Sequence, residues 1–499
     1  MEVNGSEGRR RASSTWWTYF KGNLRCKDVW QEVSGSLGDI GTFVPIVVAL
    51  TLVNGLDLGT TLVVTGLYNI ATGLIFGVPM PVQPMKAIAA AAITETNPLT
   101  VAQIMAGGLS TALVLFLLGV TGLIRVMDRL VPLPVVRGIQ LSQGLGFAVT
   151  AVKYILKDQD IASGKATGER PWLGFDSKLL ALIAFCFLVL VTGSGGGMME
   201  RCGLGYRNRS TTDDLEEALH EEDAGQDARI GGELQCAYQG RNDFGSENRK
   251  ILIAVPTALL VFLLGIVLAF IKKPHIFKEL KFGPSTPRFV HISAEDWKIG
   301  FERAAVPQLP LSILNSVLAV CKLSNDLFPN KELVSPVRVS VSVGLMNLLG
   351  CWIGVLPVCH GAGGLAGQYR FGARSGISVV FLGAGKLVIG LLLGNSLLQI
   401  LAQFPIALLG VLLLFSGVEL AMACRDQSSR LNSFVMLTCV VVSQASGLAL
   451  GCICGIILYL LLKLREVDFT SWKSRLPGFV HRGSFEKLDA SSYEQCSTS

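Results

Sequence analysis

Two stretches decide how this chain folds: Pro79-Met-Pro-Val-Gln-Pro-Met-Lys-Ala-Ile-Ala-Ala90 and Pro357-Val-Cys-His-Gly-Ala-Gly-Gly-Leu-Ala-Gly-Gln-Tyr-Arg370. Each begins with proline in otherwise apolar surroundings and continues into a short run of small residues. Residues 83–95 rise only about 20 Å as a helix, short of the roughly 30 Å hydrocarbon core of a bilayer. Pro79, Pro81 and Pro84 forbid extending that helix backwards, because proline lacks an N–H and clashes with the preceding turn. The second stretch is as short: Pro357 precedes it, and Gly361, Gly363, Gly364 and Gly367 make a weak but close-packing helix. Each therefore reads as an extended stretch followed by a half-helix that starts inside the membrane. Irregular backbone at that depth is tolerated only where protein covers it or a cavity adjoins it.

The rest of the chain supplies the membrane. Half of its residues are hydrophobic, only 16% are charged, and the mean hydropathy is +0.51. Soluble domains carry about 25% charge. Apolar stretches near membrane-spanning length recur at 36–54, 58–78, 82–96, 100–124, 133–152, 177–193 and 251–271, then at 306–321, 334–355, 359–371, 375–395, 397–421, 432–446 and 447–464. The expected fold class is an all-α membrane protein with 14 transmembrane segments in a 7+7 inverted repeat, with half-helices in segments 3 and 10. An odd number of spans per half places the two halves in opposite orientations, the plan of many secondary transporters. Sequence echoes agree: Gly41-Thr-Phe-Val-Pro45 resembles Val306-Pro-Gln-Leu-Pro310, and Phe76-Gly-Val-Pro-Met-Pro-Val-Gln-Pro84 resembles Gly354-Val-Leu-Pro-Val-Cys-His360. The 55 glycines suit close helix packing, and the 12 cysteines, scattered without CxxC pairs, read as unpaired buried thiols.

The expected organisation is a cytosolic arm (1–32), segments 1–6 of the first repeat (33–193), a disordered polar loop (194–250), segment 7 (251–271), a polar loop with a surface helix around Trp297–Arg303 (272–305), the second repeat with segments 8–14 (306–464), and a short cytosolic tail (465–499). The acidic 194–250 loop lacks the apolar surface needed to order itself. No cleavable signal is expected, the first span acting as the insertion signal. Cytosolic termini put Lys21, Arg125, Arg129, Arg370, Arg374, Arg425, Lys463 and Arg465 inside, as the positive-inside rule favours; Lys272, Lys273, Lys278 and Lys281 would lie outside, against it. Asn4 and Asn208, the N-x-S/T positions, then face the cytosol. The modest net charge of +6 reflects loop topology rather than a nucleic-acid partner.

The chemistry expected at the two half-helix starts is anion binding. Unpaired N–H groups on Met85, Lys86 and Ala87 face those on Gly361, Ala362 and Gly363, and each helix start carries about half a positive charge. Candidate substrate-binding residues are Thr42, Gln83, Lys86, Ala87, Gln308, Ser312, Asn315, His360, Gly361 and Ala362, with Asp39 and His360 as coupling candidates. A charge as deep as Lys86 is costly and points to function. Asp39 reads either as the cap of the first helix or as a group that orients Lys86 or carries a proton. His360 reads either as a helix cap or as a proton-coupling group; Gln83 and Gln308 either bridge helices or touch substrate. Arg370 and Arg374 read as topology charges at a helix end, and Lys386 and Glu419 also sit in apolar surroundings. No nucleophile–base pair, HExxH spacing or phosphate loop appears, so no enzyme, metal or cofactor is expected.

The two proline-led segments, through Gly376, together with Gly38-Asp-Ile-Gly-Thr-Phe-Val-Pro45 and Pro307-Gln-Leu-Pro-Leu-Ser312, resemble the signature segments of the molybdate transporters of plants and algae, over about residues 30–465. The resemblance implies uptake or redistribution of molybdate, with sulfate as a competitor; the missing cleavable signal is compatible with the plasma membrane or an endomembrane such as the vacuole. The resemblance also implies kinship with SulP sulfate permeases, a core (segments 1–4 and 8–11) and gate (segments 5–7 and 12–14), no C-terminal STAS domain, and room for a homodimer. The expected mechanism is alternating access, with proton symport offsetting inward movement of a dianion. A sulfate or broader oxyanion transporter, an anion channel and a non-transporting sensor are the rival readings.

Overall fold

The computed structural model describes residues 22–24, 26, 28–94, 98–160, 165–193 and 255–466. Most of the arm, the 194–250 loop, the start of segment 7, both N-x-S/T asparagines and the tail beyond Glu466 lie outside the described residues. Among the described residues, eight helices are long and apolar enough to cross a membrane, joined by two shorter apolar ones, Lys178–Thr192 and Thr257–Lys272. The molecule is a helical, multi-pass membrane protein.

In chain order the described α-helices of eight residues or more are α1 (Val29–Ser36), α2 (Ile40–Asn54), α3 (Leu58–Phe76), α4 (Lys86–Thr94), α5 (Val101–Val120), α6 (Leu123–Leu130), α7 (Leu133–Leu156), α8 (Lys178–Thr192), α9 (Thr257–Lys272), α10 (Ala294–Leu327), α11 (Pro336–Gly350), α12 (Ala362–Arg370), α13 (Ile377–Leu393), α14 (Ile406–Met422), α15 (Arg430–Ser446) and α16 (Leu448–Glu466). They pack in two groups. In one, α3 lies along α13 and α5 along α11, with α10 against α5; in the other, α7 lies along α14 and α15, with α8 against α14 and α16 against α15. Paired glycines set the closest crossings. A Cβ on Gly144 would come 2.6 Å from the Gly417 carbonyl oxygen, and one on Gly417 would come 2.7 Å from that of Gly144.

The fold is helical as expected, with short strands added. Among the described residues there are four: β1 (Val82–Pro84), β2 (Lys157–Asp160), β3 (Lys165–Glu169) and β4 (Val358–His360). β2 and β3 form a hairpin after α7. β1 and β4 meet antiparallel although 276 positions separate their first residues, Val82 facing His360, Gln83 facing Cys359 and Pro84 facing Val358. All six residues are buried. Proline-rich backbone cannot be helical there, and its polar groups must find partners, so the strands satisfy one another. Asn69 on α3 accepts from Val82 N–H at 2.9 Å, and Asn347 on α11 accepts from Val358 N–H at 2.7 Å. Gly77 and Gly354, just before the strands, have φ of 66° and 75°, a left-handed turn that glycine adopts without steric cost.

Two boundaries also differ from the sequence reading. The surface helix expected around Trp297 is the first part of α10, which starts at the Ser293–Asp296 capping box and runs unbroken to Leu327. Wide π turns over Phe301–Ala305 and Ser312–Ala319 flank Pro307 and Pro310 and absorb their missing hydrogen bonds. The expected segment 397–421 is broken before Pro405, and α14 begins at Ile406. The nine described cysteines are all unpaired; Cys186 is exposed, and Cys321, Cys351, Cys359, Cys439 and Cys452 are buried.

Candidate functional site

The strand crossing positions the site. Gln83 and Cys359 face each other across the ladder, so their side chains share one side and His360 projects to the other. The Gln83 amide donates to the Asp39 carboxylate and, at 3.3 Å, to Thr42 Oγ1. Thr42 Oγ1 in turn donates to the same carboxylate. Asp39 is 6% exposed and makes no side-chain cap on α2. The capping alternative for Asp39 therefore falls: its carboxylate turns to Gln83 and Thr42.

Two lysines approach this acid. Lys86 opens α4, and its Nζ is buried with no hydrogen-bond partner; it lies 3.9 Å from the centroid of the Phe147 ring on α7. Lys386, on α13 and 8% exposed, holds its Nζ 3.7 Å from the centroid of Phe43. Both ammonium groups interact electrostatically with Asp39. Sequence reasoning noted Lys386 only as a charge in apolar surroundings, and missed Phe43 and Phe147. A buried aromatic in an apolar helix carries no signal that distinguishes it from lipid-facing neighbours.

The start of α4 is not the open anion site that the spacing suggested. Met85 N–H donates to the Pro357 carbonyl at 2.9 Å. Gln308 Oε1 accepts from Ala87 N–H at 2.9 Å and from Ile88 N–H at 3.3 Å, while Gln308 Nε2 donates to Ser312 Oγ at 2.8 Å. Ala87, Gln308 and Ser312 thus form a cap reaching from α10 to α4. Substituting Gln308 by alanine leaves one buried and one half-buried donor unpaired, at about 1–3 kcal/mol. The expected result is a lower thermal midpoint of the purified protein, and an unchanged midpoint would show the cap to be dispensable.

The start of α12 differs. Its first turn has no side-chain cap. Gln83 lies across it: a Cβ on Gly361 would fall on Gln83 Oε1, itself buried and unpartnered, and one on Gly364 would come 2.5 Å from Gln83 Nε2. Ala362 and Gly363 follow, with the Phe147 ring against Gly363. Gln83, Lys86, Asp39, Thr42, Gly361 and Ala362 are therefore brought together with α12's uncapped N–H groups.

His360 is not part of this group. It is fully buried with Nε2 3.3 Å from Ser342 Oγ, and its ring meets Phe76 edge-on at 5.7 Å. The cap position of α12 is Gly361, so the capping alternative for His360 falls as well. Asn315 is 3% exposed on a turn of α10 packed against β4 and α7, its Oδ1 unpartnered. Arg370 donates to Thr192 Oγ1 at 3.1 Å and to the Gly193 carbonyl, and lies 3.8 Å from Glu419; Arg374 stacks on Tyr369. Arg370 joins helix ends, whereas the Arg374 side chain stays against the end of α12. Arg137, unnoticed in the sequence, also joins helix ends, from α7 with Asp326 at 2.8 Å and Asp426 at 2.5 Å.

Comparison with known proteins places this geometry in context. The model of the family described as "Molybdate transporter of MFS superfamily" matches residues 31–147 and 300–420. Molybdate transporter 2 of Arabidopsis thaliana is 55% identical over 456 residues, covering 91% of this chain and 92% of the relative. Molybdate transporter 1 of the same plant is 52% identical over 447 residues, covering 89% and 91%. Molybdate transporter 1 of Chlamydomonas reinhardtii is 36% identical, covering 95% and 98%. The fold is similar to that of SLC26A9, with a TM-score of 0.51 at 16% identity over 89% of this chain and 66% of that one. Murine Slc26a9, described as an anion transporter in the inward-facing state, gives 0.52 at 15% identity over 91% and 71%. The fold likeness is thus to SLC26 proteins although the family's description names the MFS superfamily. Identity above one half along nine-tenths of both sequences leaves one conclusion, that this chain belongs to the molybdate transporter family, a family of transporters and not of enzymes.

Proposed function

We propose that the chain carries molybdate across a membrane by alternating access, binding the dianion beside Lys86 and the first turn of α12. The observation that carries this reading is the antiparallel crossing of Val82–Pro84 with Val358–His360, which sets the starts of two nine-residue helices side by side next to an unpartnered ammonium. In this reading α4 and α12 are the half-helices of segments 3 and 10. The α12 end supplies free N–H groups and a positive dipole end, Lys86 supplies the formal charge, and Gln83 and Thr42 orient both.

In the same reading the chain has fourteen segments in a 7+7 inverted repeat, and matching features of the two halves support it. Asn69 and Asn347, one in each half, make the same bond to the first N–H of their strands, and Gly77 and Gly354 make the same turn before them. The two packing groups correspond to a core that holds the anion and a gate against which it rocks. With the N-terminus cytosolic, the Arg137–Asp326 and Arg370–Glu419 contacts lie at the cytosolic ends and close that side. Asp39, within electrostatic reach of Lys86 and Lys386, is the proton-coupling residue. A proton taken up with the dianion offsets part of the cost of moving negative charge inward, about 2.3 kcal/mol per charge per 100 mV.

The test is isotopic molybdate uptake in cells lacking their own molybdate transport, with sulfate as competitor and an imposed pH gradient. Saturable uptake, faster with an inward proton gradient, is expected. Saturable sulfate uptake without molybdate uptake would transfer the reading to sulfate, indifference to the gradient would remove the coupling, and unsaturable current would indicate a channel.

A further inference from the structure

The buried Lys86 ammonium faces an aromatic ring from the opposite packing group. Phe147 sits on α7, is 9% exposed, and places its ring centroid 3.9 Å from Lys86 Nζ. The same ring fills the space where a Cβ on Gly363 would stand, so it also covers the first turn of α12. Its stem is wedged at the glycine crossing of α7 and α14, with its Cβ 2.9 Å from where a Cβ on Gly417 would lie. One side chain of the gate group thus touches both parts of the site proposed for the anion.

Resting on that proposed function, we propose that Phe147 is a positioning residue that stands in for the oxyanion: its ring holds Lys86 in the empty site, and an arriving tetrahedral dianion displaces it. The argument is electrostatic. The negative face of an aromatic ring attracts an ammonium, most strongly when both are desolvated, and Lys86 Nζ has no hydrogen-bond partner to compete. Charge-assisted hydrogen bonds to an oxyanion are stronger than that contact, so Lys86 transfers from ring to substrate. Transfer frees the ring from both Lys86 and α12, loosening α7 from the core when the site fills. After release the ring takes Lys86 back, which spares the returning empty carrier an unpaired buried cation.

Phe147→Leu keeps an apolar side chain of similar bulk and removes the ring face, whereas Phe147→Tyr keeps it. The expected result for Phe147→Leu at wild-type abundance is a KM for molybdate lower by roughly five- to thirtyfold, the scale of a desolvated cation–π contact, together with a reduced maximal rate. Phe147→Tyr is expected to restore both. A Phe147→Leu KM equal to the wild type, or raised as Lys86→Ala raises it, would overturn the proposal; the latter would mark a plain substrate contact. A second readout is acylation of Lys86 in the purified full-length chain by a small amine-reactive reagent, located by mass spectrometry. Lys86 is expected to react slowly in the wild type and in Phe147→Tyr, and faster in Phe147→Leu. Equal rates in all three overturn the ring contact. Should the wild type carry sulfate instead, the same KM shift is read with labelled sulfate. Absence of any oxyanion uptake by the wild type sinks the transport reading, and the acylation rates still decide the ring contact.

Discussion

Lys86→Ala is expected to reduce molybdate uptake at low substrate by about 10- to 100-fold, the equivalent of one hydrogen bond to a charged group at about 1.5–3 kcal/mol. The protein itself should survive the change. Lys86 Nζ has no hydrogen-bond partner and its contact is the Phe147 ring, so alanine strands no buried acceptor. Asp39 keeps Gln83, Thr42 and the second ammonium, Lys386. Lys86→Arg keeps the charge but brings a planar, bulkier head group into a space bounded by Phe147 and α12, so uptake is expected to fall between the two. The check is initial uptake rate against surface abundance for the three proteins. An alanine variant with wild-type KM and rate would remove Lys86 from the site.

The second large effect is expected from Gly38→Ala, and it concerns folding rather than binding. Gly38 lies in the turn between α1 and α2, where the chain crosses α12. An added Cβ would collide with the Gly367 carbonyl and stand 2.6 Å from Gly367 C and 2.8 Å from Gln368 N. Those atoms are backbone and cannot rotate away. Ser416 on α14 donates to the Gly38 carbonyl at 3.0 Å, so three elements meet at this point. Overpacking of a tight interior costs about 1–3 kcal/mol, and a backbone collision belongs at the upper end. The expected outcome is a marked loss of monodisperse protein on extraction, whereas Gly55→Ala, at an open helix end with nothing within 4 Å, should lose much less despite its positive φ of 72°. Equal yields of the two variants would show that the α12 crossing is not tightly packed.

These two residues illustrate what was legible beforehand. Lys86 stood out because a charge within an apolar, proline-flanked run has no cheap bland explanation, and the short length of both proline-led stretches announced helices beginning late. Gly38 belonged to a recognisable motif, but nothing local said that the partner packed against it would be Gly367, over 300 positions away. Asp39, His360 and Gln308 each had a capping or bridging alternative that local chemistry left open. Asp39 turned to Gln83 and Thr42, His360 to Ser342 and Phe76, and Gln308 became the cap of a helix in the other half of the chain.

By itself the sequence determined the solvent, the family and the two places where the backbone leaves the helix. Hydropathy, proline and glycine act through the chain's nearest neighbours and are readable one window at a time. Tertiary structure alone decided that the two extended stretches pair with one another, that Gln83 and His360 face opposite ways, that Gln308 closes one helix start while the other stays uncapped, and that Phe147 covers the lysine. Those outcomes depend on strand register and on helices packed across hundreds of residues. A one-residue change in register would bring Gln83 and His360 to the same face without altering a single local preference.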